Sequence, residues 1–367
     1  GTIKEQLKKQ EVFIMADISK IDRNFAVQES FGRSDIDFYN VLEEPVSLYG
    51  VFHEDGRFRR IPKAIAESVG DGVAQLSGHT SGGRACFKTD SDFIAIDAVM
   101  AGVYIMPHMA YLGSSGFDVY IREDGKQTYF GAFMPDLSKK PPLQRIINLP
   151  SRKMREIIIN FPLYCGVAEL SVGVLQGSRM EKWSGYSHSV PMVFYGSSIT
   201  QGACANSPGT CYANLLSRRF DSDYINLGLS GNGKGEPAMM EYIAGLEMSL
   251  FVYDYDYNAP SAEYLRNTHY AGYKAVREKH PDIPIIMASR TNYGNPMNDS
   301  EARRAVIAET YARALAEGDK NVYFVDGKTD LAGIYEDGGT VDGCHPTDYG
   351  FRIMADAFGK IIEKVLK

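Results

Sequence analysis

A serine that follows a short apolar run is the residue best placed for chemistry in this chain. The run Val193-Phe194-Tyr195 leads into Gly196-Ser197-Ser198-Ile199-Thr200-Gln201-Gly202, a pattern that predicts a strand, a glycine break and the first turn of a helix. The first N–H groups of a helix have no intrahelical acceptor and lie at the positive end of its dipole. These donors suit a developing oxyanion, so we expect Ser198 to be a nucleophile.

An acid and a histidine near the other end of the chain provide a matching base. Asp342 precedes His345 by three positions, and Pro346 follows directly. That spacing lets the carboxylate reach one ring nitrogen and fix its tautomer, which leaves the other nitrogen free to accept a proton. We therefore predict a catalytic triad of Ser198, His345 and Asp342.

Two further polar blocks follow the next two apolar runs, and their order carries a family resemblance. They are Asn226-Leu227-Gly228-Leu229-Ser230-Gly231-Asn232-Gly233 and Tyr253-Asp254-Tyr255-Asp256-Tyr257-Asn258. Over residues 188–367 the chain resembles the SGNH hydrolases, also called GDSL-type esterases and lipases, in the order of Ser198, Gly231, Asn258, Asp342 and His345. The resemblance implies an oxyanion hole formed by the N–H groups of Ser198 and Gly231 and the side-chain amide of Asn258.

The first block differs from the family at one position. The family has aspartate between the glycine and the serine, whereas Ser197 stands there in this chain. A serine can also bond the neighbouring backbone, so we expect activity to be retained. If Ser197 were the nucleophile, Ile199 and Thr200 would lose their alignment with the family, which favours Ser198.

Each feature has a simpler interpretation when it is taken alone. Gly-Ser-Ser is common in turns, Asp342 with His345 fits a helix cap beside a surface histidine, and loops contain many glycines and asparagines. Cys344 is an alternative nucleophile, but the adjacent His345 would have to reach around its own backbone. The four elements together lie where open α/β sheets hold their sites, which favours the catalytic interpretation.

Other polar residues suggest a metal or phosphate site. Asp254 and Asp256 share a predicted strand face with Asn258, yet no histidine or cysteine is close in sequence, so we expect no metal and no cofactor. Asp256 is expected instead to hold the Asn258 loop or to contact substrate hydroxyls. Lys234, in a glycine-rich stretch, lacks the Ser or Thr that follows the lysine of a P-loop. His108 is expected to be packed within the fold.

Composition limits the classes of function. The chain has 367 residues and a formal charge of −7, which argues against binding to nucleic acid. No apolar run approaches the ~20 residues that cross a bilayer. The five cysteines do not form a dense disulfide framework, and a Cys204–Cys211 bridge and free thiols both stay open. The chain begins with glycine, so a removed signal peptide stays open, as do secreted, periplasmic and cytoplasmic locations and the oligomeric state.

The texture of the sequence changes near residue 188, which predicts two domains at residues 1–180 and 188–367, joined by a linker at 178–189. The first has short alternating runs rich in Ile, Val, Tyr and Phe, typical of an all-β sandwich, and we predict a jelly-roll-like one. Its strands are predicted at 46–52, 84–88, 92–100, 118–123, 128–134, 145–149, 155–163 and 167–175. Gly116-Phe117-Asp118-Val119-Tyr120 resembles the Gly-x-Asp-Leu-Tyr signature of an N-terminal domain that accompanies some SGNH esterases.

In the second predicted domain strands alternate with helices, so the fold class is α/β with helices on both faces of a parallel five-stranded sheet. The family resemblance implies a flavodoxin-like, three-layer arrangement. The strands are predicted at 191–196, 224–229, 249–255, 283–288 and 322–326. The helices are predicted at 212–220, 236–246, 261–280, 300–317 and 348–366.

We therefore expect a serine esterase that forms an acyl-enzyme and needs no cofactor. Its partner is expected to be a small-molecule or oligosaccharide ester, and acetyl esters of carbohydrate are favoured by analogy with modules that carry β-sandwich companions. A lysophospholipase or lipase is the second enzymatic hypothesis. A carbohydrate-binding protein built on an esterase scaffold is the non-catalytic alternative.

Overall fold

The computed structural model describes residues 21–22, 31–102, 105–135, 142–291, 293 and 299–366. Its strands are β1 (Ile36–Asn40), β2 (Ser47–Tyr49), β3 (Phe52–Glu54), β4 (Arg57–Arg59), β5 (Arg84–Thr89), β6 (Phe93–Met100), β7 (Phe117–Glu123), β8 (Lys126–Phe133), β9 (Leu143–Asn148), β10 (Arg155–Asn160), β11 (Val167–Leu175), β12 (Met180–Glu181), β13 (His188–Gly196), β14 (Ser222–Gly228), β15 (Leu250–Asp254), β16 (Ile285–Ala288) and β17 (Val322–Val325). Its helices are α1 (Lys63–Val69), α2 (Asp71–Leu76), α3 (Tyr111–Ser115), α4 (Ser198–Gln201), α5 (Tyr212–Phe220), α6 (Pro237–Ala244), α7 (Ala262–Lys279), α8 (Ser300–Ala316), α9 (Ala332–Glu336) and α10 (Asp348–Val365). Within those ranges, none of the helices has the length and apolar character that a bilayer span requires.

Two antiparallel sheets form the N-terminal part of the fold. One has the strand order β1-β11-β6-β9, and the other has the order β12-β5-β10-β7-β8, with β2 paired to β5. Alternate residues of a strand face the same side, so each sheet has one apolar face. Ile96 and Val172 from the first sheet and Phe87 and Ile157 from the second are buried in one core. This arrangement confirms the predicted β-sandwich.

Five parallel strands form the second main sheet, in the order β14-β13-β15-β16-β17. Counted from β13, this is the flavodoxin-like order 2-1-3-4-5. Leu216 of α5 and Phe358 of α10 are buried in the core on one face. Met240 of α6, Tyr273 of α7 and Ile307 of α8 are buried in the core on the other. The predicted three-layer α/β fold and its five-stranded sheet are therefore confirmed.

Several short elements were not predicted from the sequence. They are β1, β4 and β12 and the helices α1, α2, α3 and α9. Helix α1 follows Pro62 without a side-chain cap and has no acidic residue in its first turn, so its usual start signals are missing. The single strand predicted at 46–52 is interrupted at Gly50, whose φ of +71° lies in the left-handed region. Cys204 and Cys211 are free, buried thiols.

The segment predicted to be a linker, 178–189, is packed against the sandwich. Its strand β12 pairs with β5, and Trp183 is only 4% exposed. The Trp183 indole N–H donates to the Tyr49 hydroxyl at 3.0 Å, and the ring packs edge-on against Tyr186. The serines of this segment suggested an exposed linker, but two aromatic side chains supply enough apolar surface to bury it.

One buried arginine connects the sandwich side to the parallel sheet. Arg60 is 2% exposed, and its guanidinium donates to the carbonyl oxygens of Leu76, His79, Asn226 and Gly228 at 2.7–3.0 Å. Burial lowers the pKa of Arg60 to about 10, so the group remains charged at neutral pH. Asn226 and Gly228 lie at the carboxyl end of β14, beside the region where ligands bind in such sheets.

Replacement of Arg60 tests how much this connection stabilises the fold. Arg60→Ala removes the guanidinium donors from four buried carbonyl oxygens, of which that of Leu76 keeps a hydrogen bond from the His79 N–H, so we expect the free energy of unfolding to fall by about 3 kcal/mol or more. Arg60→Lys should recover only part of the loss, because one ammonium group lacks the planar fork of donors. Urea unfolding followed by circular dichroism measures both. The control Arg57→Ala, on an exposed side chain of β4, should change stability by less than ~0.5 kcal/mol; an equal loss in both alanine variants would contradict the argument.

Candidate active site

Ser198 is the first residue of α4, the one-turn helix that begins just beyond the carboxyl end of β13. Ser197 is the N-cap of this helix, and its hydroxyl accepts a hydrogen bond from the Ile199 N–H at 3.2 Å. Gly196 permits the close turn, because a Cβ atom there would lie 2.1 Å from the hydroxyl oxygen of Thr200. The two adjacent serines therefore differ in role: Ser197 caps the helix, and the Ser198 side chain has another partner.

That partner is His345, which connects Ser198 to Asp342. The Ser198 Oγ lies 2.9 Å from His345 Nε2, and His345 Nδ1 lies 2.7 Å from Asp342 Oδ2. The other carboxylate oxygen accepts from the backbone N–H groups of Cys344 at 3.0 Å and His345 at 2.8 Å. Partial burial raises the pKa of Asp342, but the hydrogen bonds from His345 and Cys344 outweigh it and lower the pKa to about 2. An ionised Asp342 favours the tautomer with a proton on Nδ1, which leaves Nε2 as an acceptor for the Ser198 proton.

The three predicted oxyanion donors lie at the ends of β13, β14 and β15. As the first helical residue, Ser198 has an N–H without an intrahelical acceptor. Gly231 has a φ of +68°, a conformation that favours glycine, and its N–H donates to no protein acceptor within the described ranges. Asn258 ends the 3₁₀ turn Asp256–Asn258. Its Nδ2 donates one hydrogen to the Leu229 carbonyl at 2.8 Å, which leaves a second hydrogen for a ligand.

The acidic residues before Asn258 have structural partners. The side chain of Asp256 is fully buried; its carboxylate accepts from the Arg290 backbone N–H at 3.0 Å, and its carbonyl accepts from the Arg303 guanidinium at 2.8 Å. Asp256 therefore holds the turn that carries Asn258, and its burial rules out the alternative of contact with substrate. Asp254 is also buried, which raises the pKa of its carboxyl to about 8.

Cys344, the alternative nucleophile, lies beside the acid–histidine pair. Burial raises the pKa of its thiol to about 11, which disfavours the reactive thiolate at neutral pH. The free ring nitrogen of His345 is within hydrogen-bond distance of Ser198. The geometry therefore favours the serine over the cysteine.

Residues from the sandwich side support α4, and sequence reasoning missed them. Gln201 Nε2 lies 3.1 Å from His79 Nδ1 and donates to the Leu163 carbonyl at 3.1 Å, while its Oε1 accepts from the Ser230 N–H at 3.0 Å. The Ser81 hydroxyl donates to the Gln201 carbonyl at 2.6 Å. His79 and Ser81 are 122 and 120 positions from Gln201. A single sequence has no local signal for such distant pairs.

His108 also approaches the site from the sandwich side, whereas a packed position was expected. Its side chain is 38% exposed, and its Nε2 lies 3.9 Å from Asp342 Oδ2. The centres of the His108 and His345 rings are 5.7 Å apart. The buried thiol of Cys204 lies near both rings. Cys204, His108 and His345 each offer one atom that could bind a metal, and these three atoms lie within 4.8 Å of one another. The residues next to His108 in sequence are apolar, so they suggested a packed position and not one beside the site.

Comparison with known proteins agrees with this architecture. The model of the GDSL-like lipase/acylhydrolase family matches residues 189–363, and the model of the N-terminal domain of SGNH hydrolase-type esterases matches residues 36–180. A comparison with curated proteins gave no match.

Solved structures share the fold over most of the chain. A Bacteroides ovatus protein described as a GDSL-like lipase is 29% identical, with a TM-score of 0.80, over 90% of this chain and 98% of its own. The salicylyl-acyltransferase of a tetracycline biosynthetic pathway is 19% identical, with a TM-score of 0.75 and the same coverage. A family two carbohydrate esterase from Cellvibrio japonicus is 11% identical, with a TM-score of 0.57, again at 90% and 98%. The chain therefore combines a GDSL-like lipase/acylhydrolase domain with the N-terminal domain of SGNH hydrolase-type esterases, which identifies it as a carboxylic ester hydrolase.

Proposed function

We propose that the protein is a serine esterase that removes small acyl groups, in particular acetyl groups, from carbohydrate through an acyl-enzyme. The observation that carries the proposal is the continuous series of hydrogen bonds from Asp342 through His345 to the Ser198 hydroxyl. Such a series activates a serine at neutral pH and needs no cofactor.

In the first half of the proposed reaction, Ser198 Oγ attacks the ester carbonyl carbon while His345 Nε2 takes the hydroxyl proton. Asp342 stabilises the imidazolium that forms and keeps the ring in position. The carbonyl oxygen becomes an oxyanion, which is held by the N–H groups of Ser198 and Gly231 and by the free amide hydrogen of Asn258. His345 then protonates the leaving alcohol as the carbon–oxygen bond breaks.

In the second half, water replaces the alcohol. His345 removes a proton from the water, the hydroxide attacks the acyl carbon, and the same three donors hold the second oxyanion. Collapse of this intermediate breaks the bond to Ser198 Oγ, which recovers its proton from His345. The free acid leaves and the enzyme returns to its starting state.

Tight packing of the loop after α4 supports a small acyl group. The Gly209 N–H donates to the buried Asp118 carboxylate at 2.7 Å, and the Asn206 N–H donates to Asp348 at 2.9 Å. A Cβ atom on Gly113 of α3 would lie 2.1 Å from the Ala205 carbonyl oxygen. A long acyl chain could enter here only by displacing these contacts.

The carbohydrate part of the proposal is supported by the fold shared with the carbohydrate esterase from C. japonicus. The lipase alternative has one observation in its favour. Ile105 and Val341 are exposed apolar side chains in the segments that carry His108 and Asp342. Two such residues could contact the start of a fatty chain, so acyl-chain length separates the two hypotheses.

Labelling with a fluorophosphonate tests the catalytic assignment directly. The reagent phosphonylates an activated serine, so mass spectrometry should find the adduct on Ser198 and on no other serine. A carbohydrate-binding protein on an esterase scaffold would remain unlabelled. Labelled protein should also lose hydrolysis of p-nitrophenyl acetate in proportion to the adduct.

Exchange of each adjacent serine for alanine assigns the nucleophile. Ser198→Ala should lower kcat for p-nitrophenyl acetate by about 10⁴-fold or more, because the attacking oxygen is lost. Ser197→Ala removes only a helix cap, so it should retain most activity and lose about 1 kcal/mol of stability. Steady-state kinetics and urea unfolding measure the two effects. Loss of activity in the Ser197 variant alone would reverse the assignment.

Asn258 should act on the transition state. Asn258→Ala is expected to lower kcat by about 10²-fold with little change in KM, because the amide meets a negative charge that exists only during reaction. Asn258→Asp keeps the size of the side chain but loses the donor, so kcat should fall at least as far. A rise in KM at constant kcat would place Asn258 in substrate binding instead.

Acyl-chain length tests the proposed substrate. We expect kcat/KM to fall from acetyl through butyryl to octanoyl p-nitrophenyl esters. An acyl group that finds no groove on the protein gains none of the ~0.8 kcal/mol that each buried methylene contributes. Release of acetate from an acetylated oligosaccharide, measured by chromatography, is the matching natural-type assay. Faster hydrolysis of octanoyl or longer esters would replace the carbohydrate-esterase proposal with the lipase alternative.

A further inference from the structure

We propose that His108, Cys204 and His345 form a site for Zn²⁺ and that its occupation reversibly inhibits the enzyme. One ligand-capable atom of each residue lies within 4.8 Å of the other two. Imidazole nitrogen and cysteine sulfur are the ligands that Zn²⁺ prefers, and three protein ligands leave a fourth position for water. Neither His108 nor Cys204 takes part in the proposed esterase reaction.

The ligands need only a small movement to reach bonding geometry. Tetrahedral Zn²⁺ with bonds of about 2.0–2.3 Å places its ligand atoms roughly 3.3–3.8 Å apart. Contraction from 4.8 Å therefore amounts to about 1 Å for the most distant pair. His108 is the partly exposed member of the group, so its ring is the one most able to turn. Cys204 is buried, which raises the pKa of its thiol to about 12, so this thiol has to release its proton as the metal binds.

The hydrogen bond between Asp342 and His345 orients the ring for binding a metal in the same way as for accepting a proton. The carboxylate binds Nδ1 of the ring at 2.7 Å, an arrangement that orients metal-bound histidines and makes the other nitrogen a better ligand. That other nitrogen, Nε2, is the atom that lies 2.9 Å from Ser198 Oγ. The same Asp342 carboxylate lies 3.9 Å from His108 Nε2, so it also adds negative charge beside an incoming cation.

We expect inhibition because Zn²⁺ and the Ser198 proton compete for the same lone pair on His345 Nε2. A zinc ion on His345 Nε2 occupies the electrons that would accept the Ser198 proton, so the bound enzyme cannot attack an ester. A chelator should restore full activity. The inhibitory consequence rests on the proposed function, but the binding of metal by these three residues does not.

Direct metal binding tests the site without any assay of activity. The intact chain titrated with Co²⁺, as a coloured substitute for Zn²⁺, should develop a thiolate-to-metal charge-transfer band in the near ultraviolet, and Zn²⁺ should abolish it by displacement. The band should disappear in Cys204→Ser and persist in the matched control Cys344→Ser. No band in the wild-type chain, or a band that is lost only in the Cys344 variant, would overturn the site.

Inhibition kinetics then test the consequence. Zn²⁺ should inhibit hydrolysis of p-nitrophenyl acetate, with reversal by EDTA, and the inhibition constant should rise at least ~10-fold in His108→Ala and in Cys204→Ser. Both variants should keep kcat/KM without zinc within about twofold, as should the control His188→Ala, whose inhibition constant should be unchanged. Circular dichroism checks that each variant is folded, and His108→Gln is the substitute if the alanine variant is not.

The two tests separate failure of this inference from failure of the proposed function. Equal zinc sensitivity in the wild type and both ligand variants would overturn the site while ester hydrolysis stands. Cobalt binding through Cys204 in a chain that hydrolyses no ester would support the metal site and contradict the esterase.

Discussion

The buried guanidinium of Arg60 donates hydrogen bonds to backbone groups on which the position of Ser198, the proposed nucleophile, depends. The end of β14 is buried beneath the sandwich side, and a buried carbonyl without a donor is costly. Arg60 donates to the carbonyls of Asn226 and Gly228, and the Asn226 side chain donates to the Thr200 carbonyl of α4 at 2.8 Å. A single cation from the sandwich side thus fixes a strand end, and the strand end fixes the helix that begins with Ser198.

Other buried groups also find hydrogen-bond partners where the sandwich sheet that contains β5 and β7 meets the parallel sheet. Arg84 of β5 donates to the Tyr224 carbonyl at 2.7 Å and forms an ion pair with Asp223 at 2.9 Å. Asp118 of β7 accepts from the backbone of Gly209, in the loop that follows α4. Arg84 and Asp118 are buried and hydrogen-bonded, so removal of a partner would leave a buried polar group unsatisfied, which is costly. The sandwich therefore supports the loops that carry the proposed catalytic residues.

The sequence predicted best what depends on local pattern. Buried parallel strands are continuous apolar runs, so the strand expected at 249–255 is observed as Leu250–Asp254. The family resemblance brought Ser198, Gly231 and Asn258 into one prediction, and their positions after three such runs, which end at one edge of a parallel sheet, agreed with it. His108, by contrast, depends on the path of a loop from the sandwich, and α1 has no capping signal. Such features are decided by tertiary packing, which cannot be read from a single amino-acid sequence.

Asp342 and His345, the proposed acid and base, are held together within one short segment, whereas Ser198 is held by contacts between distant parts of the chain. Asp342 accepts hydrogen bonds from the next residues along the chain, Cys344 and His345, and the turn is closed by a bond from the Val341 N–H to the His345 carbonyl at 2.9 Å. Few long-range contacts are needed to keep this pair together. Ser198, however, is held through the polar boundary between two sheets. Loosening of that boundary therefore separates the serine from its base while the base stays paired with its acid, so the distance from Ser198 to His345 is the part of the proposed triad that most depends on the sandwich.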